Sequence, residues 1–234
     1  MNYPGSKRLL AKHLAPIIQS YRQLGQLYIE PFMGGGNMLM RFANPRIGAD
    51  IDRYVVALLR AVRDGWTPPT EVTRDLYYAV KAHPDQYPDE LVGFVGYPCS
   101  FGGKWWGGYV ASHLNQGRNR ASGASNTLRR ESQFLQGAEI RQVTYDMLPI
   151  PDGSLVYCDP PYRDVTQGYR AKGFDSDRFW HWVRNLPPSC TVLVSEYTAP
   201  TDGFELLYAK KVTANLQPNR VGKVEREECL FLRV

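Results

Sequence analysis

Apolar positions recur at two different spacings along this chain, and the spacing switches repeatedly. Leu10, Leu14, Ile17, Ile18 and Tyr21 share one helical face and predict a helix over 7–24. Leu27 to Glu30 reads as a short strand that runs into Gly34-Gly35-Gly36, and 37–43 as a helix start. Arg46 to Asp50 reads as a second short strand. Asp52 is placed to cap a helix in which Val55, Leu58, Leu59 and Val62 share a face and which Gly65 ends.

The alternation then stops. Residues 66–136 open on Thr67-Pro68-Pro69-Thr70 and contain a Gly- and Trp-rich cluster from Phe101 to Tyr109. They continue through Asn115-Gln116-Gly117-Arg118-Asn119-Arg120 to Arg129-Arg130. Turn residues at this density predict a hairpin and exposed loops. Strand-like runs return at Ile140–Val143, Leu155–Cys158 and Thr191–Ser195, with a helix from Ser176 whose Phe179, Trp182, Val183 and Leu186 share a face. Phe204–Thr213 and Glu227–Val234 read as an antiparallel pair. The expected fold is therefore α/β, with a mostly parallel sheet covered on both faces and a C-terminal antiparallel hairpin. Residues 1–65 and 137–234 would form one discontinuous unit around an inserted module at 66–136.

Composition adds modest constraints. The chain has 234 residues, 43% hydrophobic, and a formal net charge of +5, which suits a polyanionic partner without requiring one. Cys99, Cys158, Cys190 and Cys229 form no C-x-x-C pair, and His13, His83, His113 and His181 are scattered. Reduced, buried thiols and no metal site are expected. No signal peptide or membrane-spanning apolar run is read, so a cytoplasmic protein is expected.

Two loops carry candidate chemistry, both at carboxyl ends of predicted strands, where ligands of such sheets bind. The first, Glu30-Pro31-Phe32-Met33-Gly34-Gly35-Gly36, lets a ligand approach the backbone closely. Glu30 ends its strand and is placed to accept hydrogen bonds or attract a cation. Asp50 ends the next strand, where an acid can hold two ribose hydroxyls. A dinucleotide fingerprint would need a third glycine where Leu39 stands, and Glu30 is a poor neighbour for pyrophosphate. A cationic, phosphate-free nucleoside fits better, which describes S-adenosylmethionine.

The second loop, Asp159-Pro160-Pro161-Tyr162, follows the apolar strand Leu155–Cys158. An exocyclic amino nitrogen is a poor nucleophile because its lone pair is delocalised into the ring. Two acceptors on its two hydrogens, the Asp159 carboxylate and the Pro160 carbonyl, would draw it toward tetrahedral geometry. Proline holds that carbonyl in place beforehand. Tyr162 offers a face for a flipped base. No metal is required.

These motifs, in this order, resemble the Dam-type (alpha-group, phage-like) adenine-N6 DNA methyltransferases over residues 3–65 and about 139–234. The resemblance implies a Rossmann-like class I methyltransferase sheet. It implies methyl transfer from S-adenosylmethionine to the N6 amino group of a flipped adenine in double-stranded DNA, leaving S-adenosylhomocysteine. Tyr3-Pro4-Gly5-Ser6-Lys7 is similar to the N-terminal motif, whose lysine lies near cofactor and DNA. Glu30, Pro31, Phe32, Gly34 and Gly36 fall on the cofactor motif, Asp50 and Ile51 on the ribose-binding position, and Asp146 and Met147 on a contact to the cofactor's adenine. Asp159 to Tyr162 fall on the catalytic motif, where Asp159 also borders the cofactor. The segment Thr166 to Phe174 resembles a loop that orders around the extruded base, with Tyr169 and Phe174 as base, DNA or core contacts. The resemblance fails over 66–136, so Lys104, Arg118, Arg120, Arg129 and Arg130 are DNA-contact candidates on charge alone. A monomer or weak dimer is expected.

Two other readings remain at this point. The same catalytic loop serves an RNA adenine or a DNA cytosine-N4 enzyme, although cytosine enzymes more often carry serine at the Asp159 position. A DNA-binding protein with a degenerate methyltransferase fold is the other.

Overall fold

The computed structural model describes residues 1–110, 119–162, 173–215 and 223–234. Arg118, Thr166 and Tyr169 lie outside the described residues.

One seven-stranded sheet organises the chain, with strand order β3-β2-β1-β4-β5-β7-β6. Its strands are β1 (Tyr28–Glu30), β2 (Arg46–Asp50), β3 (Glu139–Gln142), β4 (Leu155–Cys158), β5 (Thr191–Glu196), β6 (Phe204–Asn215) and β7 (Lys223–Arg233). The first five are mutually parallel; β7 runs antiparallel to β5, and β6 antiparallel to β7. This is the mostly parallel sheet with a terminal antiparallel hairpin that the sequence predicts, in the strand order of a Rossmann-like class I methyltransferase.

Successive strand residues feed opposite faces. Tyr28, Leu155, Tyr157 and Leu193 join a core with α1 (Ala11–Ser20) and α2 (Arg53–Arg63). Ile29, Val156, Cys158, Val192 and Val194 pack against Phe179 and Val183 of α6 (Ser176–Arg184). Asp52 caps α2 by accepting from the Tyr54 amide, and Asp175 caps α6 by accepting from Arg178. All four cysteines are buried and free.

Three expectations are corrected. The helix over 7–24 is a single 3-10 turn, Lys7–Leu9, followed by α1, which ends at Ser20. The helix start at 37–43 is only a 3-10 turn, Leu39–Arg41, ended by Phe42 in extended geometry. Where a hairpin is expected in 66–136, the described residues show only an isolated bridge, Ser100 to Tyr109. The described residues there are mainly helical: α3 (Arg74–Ala82), α4 (Asp89–Gly96) and α5 (Arg120–Glu131). Their Val72, Tyr77, Val80, Phe94 and Leu128 share the core of α1 and α2. Among the described residues, no helix is long and apolar enough to cross a membrane.

Candidate active site

The parallel strands deliver four acids to one edge of the sheet. Glu30 ends β1, Asp50 ends β2, Asp146 follows β3, and Asp159 directly follows β4. All four line one cavity of about 320 Å³, with Tyr3, Lys7, Pro31, Phe32, Gly34, Ile51 and Pro161. Most of the predicted cofactor and catalytic residues are thus brought together. Met147 is 71% exposed and does not line the cavity. Gly36 also lies outside the lining; a Cβ there would meet Leu59 and Met40, and its φ of +68° serves the turn.

The glycine turn is shaped by two neighbours. The Gly34 amide donates to Asp50 Oδ2 at 2.9 Å, and the Asp52 amide to Asp50 Oδ1 at 2.9 Å. Asp50 therefore fastens the β1 loop to the β2 loop. Gly34 adopts φ +48°, and a Cβ on it would stand 2.8 Å from the Tyr3 ring. The close approach of Tyr3 requires glycine here.

Burial dominates the titration of these acids. It pushes Asp50 up to about 6, against the Asp52, Gly34 and Ile51 backbone amides that favour its charge. It raises Glu30 well above the carboxylate range, and the Asp159 charge adds to this; the Tyr28 hydroxyl, donating at 3.3 Å, opposes it. Asp146 is lowered, by a hydrogen bond from Thr144 and then by the Arg178 guanidinium paired with it.

Asp159 belongs to a denser cluster. Lys7 Nζ lies 2.7 Å from Asp159 Oδ1 and 3.0 Å from Glu228 Oε1. The Tyr162 hydroxyl donates to that same Glu228 oxygen, and its ring meets Tyr197 edge-on at 4.6 Å. Burial raises Asp159 to about 6; Lys7 pulls it down and Glu228 pushes it up. Burial disfavours the Lys7 charge, but Asp159 and Glu228 outweigh it and hold the ammonium protonated more firmly than a free lysine.

Lys7 is only 7% exposed, and its ammonium faces two carboxylates. Tyr162 offers no free ring face on one side, because the Lys7 ammonium sits 4.5 Å over it. Neither Tyr162 nor Pro160 lines the cavity. Arg120 gives its Nε to the Pro98 carbonyl at 2.9 Å, while Lys104, Arg129 and Arg130 are exposed. Phe174 lines the cavity and packs edge-on against Phe32, which also stacks on Tyr145 at 5.2 Å.

The sequence reading missed Glu228, Tyr197, Thr144 and Arg178. Arg178 sits on the exposed side of α6, and only the fold brings it to Asp146. Glu228 lies in a Glu-Arg-Glu-Glu run that resembles a solvated strand edge, with no local signal of burial.

The cavity chemistry suits S-adenosylmethionine. Its wall is rich in carboxylates, and among the described residues its lining cations, Lys7 and Arg178, are already paired with acids. Those paired cations suit a phosphate poorly, whereas the Glu30 and Asp50 carboxyls suit a sulfonium and a ribose diol. Among the described residues, no cluster suits a metal ion.

One protein-family model matches part of the chain. The model for the D12 class N6 adenine-specific DNA methyltransferases matches residues 3–96, the stretch holding Lys7, Glu30 and Asp50. No curated protein sequence matches the chain. Among solved structures, a candidate RNA methyltransferase from Pyrococcus horikoshii is similar at 11% identity and a TM-score of 0.43, over 96% of this chain and 83% of that one. A candidate methyltransferase from Escherichia coli is similar at 13% identity and a TM-score of 0.39, over 97% and 84%. A candidate methyltransferase solved with S-adenosylhomocysteine is similar at 11% identity and a TM-score of 0.39, over 99% of this chain and 54% of that one. Identities this low bear on no substrate. The family match makes the chain a methyltransferase that uses S-adenosylmethionine.

Proposed function

We propose that the chain methylates the N6 amino group of adenine in double-stranded DNA, with the adenine flipped out of the helix. The observation that carries this reading is the position of Asp159: it follows β4 and opens on the same cavity as Glu30 and Asp50. The match of residues 3–96 to an adenine-specific DNA methyltransferase family supports this substrate class.

When bound, S-adenosylmethionine supplies a methyl group made electrophilic by its sulfonium. The chain supplies the rest. Glu30 and Asp50 fix the nucleoside and favour its positive charge. The Asp159 carboxylate accepts one amino hydrogen, and the Pro160 carbonyl, outside the cavity lining, would turn toward the nitrogen to accept the second, which localises its lone pair. Asp159, raised to about 6, then accepts the proton that the methylated nitrogen sheds. Phe32 and Phe174 exclude water from the cavity. Lys104, Arg129 and Arg130 are exposed and contact the DNA backbone.

Incubation of unmethylated duplex DNA with protein and cofactor, followed by digestion to nucleosides and mass analysis, tests the reading. N6-methyladenine is expected. N4-methylcytosine, or methylation of RNA alone, would replace it. Asp159→Ala should lower the rate by about 10²-fold or more, as removal of one transition-state acceptor does elsewhere; a wild-type rate in that variant would sink the mechanism.

A further inference from the structure

Lys7 and Asp159 border the cavity, but Glu228 does not. Glu228 stands behind them on β7, 6% exposed, with its Oε1 shared by the Lys7 ammonium and the Tyr162 hydroxyl. One buried cation therefore serves two buried carboxylates at 2.7 and 3.0 Å. Glu228 does not touch the place where an amino group would sit. Besides its repulsion of the Asp159 charge, it reaches the chemistry through Lys7 and Tyr162.

We propose that Glu228 is a positioning residue of the transfer site, a second berth for the Lys7 ammonium that frees Asp159 to receive the substrate's amino group. Without substrate, Lys7 neutralises Asp159. When an amino hydrogen occupies the carboxylate, the ammonium moves toward Glu228 and stays paired while buried. Without that berth it would remain on Asp159, because an unpaired buried ammonium is costly. The inference rests on the proposed role of Asp159 toward an amino group.

The groups facing Asp159 are Lys7, Glu228 of β7, Tyr162 beyond β4, Glu30 of β1, and Tyr157 and Cys158 of β4. Tyr197 abuts Tyr162, and Arg226 lies 4.9 Å over the Tyr197 ring. Among the described residues, Lys7 is the only cation in direct contact with Asp159. Lys7 is thus the group whose sharing Glu228 controls.

The test is a carboxyl-carbon NMR titration of the full ligand-free chain labelled at aspartate, with Asp159→Asn assigning the signal. Wild type should titrate near pH 6 at Asp159. Glu228→Gln, which keeps the shape, should lower that midpoint by about one pH unit as Lys7 commits to Asp159. Glu228→Asp, which retracts the charge, should lower it less. In a Lys7→Met background the Glu228→Gln shift should largely vanish. An unmoved midpoint, or the same shift without Lys7, would overturn the proposal, the second by showing direct repulsion in place of sharing. With the natural substrate, Glu228→Gln should lower kcat about tenfold and leave cofactor affinity within twofold. The titration needs no DNA, so it reads separately from a failure to methylate adenine.

Discussion

At the scale of single residues, the site is defined by carboxylates that are reluctant to ionise. Asp50 and Asp159 titrate near 6 against ordinary values of 3.8, so the folded chain holds their protons more tightly than the unfolded chain. Folded-state proton excess makes stability fall as pH rises. The ligand-free protein should thus lose stability as pH climbs from about 4 to about 6, checked by its melting temperature across that window. A cationic ligand reverses the preference, because it favours the ionised acids. Cofactor affinity should rise between pH 5 and 7, and calorimetry in buffers of different ionisation heat should detect proton release. Asp50→Asn should weaken cofactor binding about 10- to 100-fold, the scale of one lost charged hydrogen bond. It should also lower the melting temperature, because the amide nitrogen would face the Gly34 or Asp52 N–H. Glu30, Asp50 and Asp159 were legible in the sequence because each ends a strand whose pattern is unmistakable. Glu228 was not, because its role depends on Lys7, a partner more than two hundred positions away, and on the parity of a strand that a charged run leaves open.

At the scale of elements, the strands were legible to within a residue or two, except β7, which starts four residues before the expected Glu227, and the helices of 66–136 were not. β1, β2, β4 and β5 are buried on both faces, and their short apolar runs announce this. α4 announces the opposite, since it contains Gly93 and Gly96, which local propensity counts against a helix. Packing overrides propensity here. A Cβ on Gly93 would lie 2.3 Å from the Tyr54 carbonyl oxygen of α2, and one on Gly96 2.3 Å from the Trp105 ring. The glycines let α4 press directly against α2 and under Trp105. Tyr97, the next residue, then reaches Asp52 with its hydroxyl and Tyr3 with its ring. The apparent insert thus braces the cofactor loop from outside. Gly93→Ala should destabilise the fold by about 1–3 kcal/mol, the usual cost of overpacking, and urea unfolding measures it. A cost below ~0.5 kcal/mol would mean that α4 can move off α2, and the brace would then be slack.

At the scale of the molecule, two of the exposed basic places among the described residues of 66–136, Lys104 and the Arg129–Arg130 pair, are tied to the N-terminal segment that leads into the cavity. Gly103, beside Lys104, approaches Asn2 so closely that a Cβ would lie 2.9 Å from the Asn2 side chain. Glu131, beside Arg130, meets the Met1 amine at 2.7 Å. Two residues further on, Tyr3 packs against Gly34, and then comes Lys7. Lys104 on one side and Arg129 with Arg130 on the other therefore flank the strip of chain that enters the site. A duplex laid across this strip would place phosphates on both flanks while one base reaches Asp159. The electrostatic part of such binding has a specific signature, because each phosphate contact contributes about 0.9 to the slope of log affinity against log salt. Replacing Arg129 and Arg130 together by alanine should weaken DNA binding at least several-fold and flatten the slope by about one to two. Cofactor affinity should be untouched, since neither residue lines the cavity. Fluorescence anisotropy over a salt series measures the slope, and calorimetry the cofactor. An unchanged slope would remove α5 from the DNA face and leave Lys104 as the remaining exposed cation of that pair of flanks.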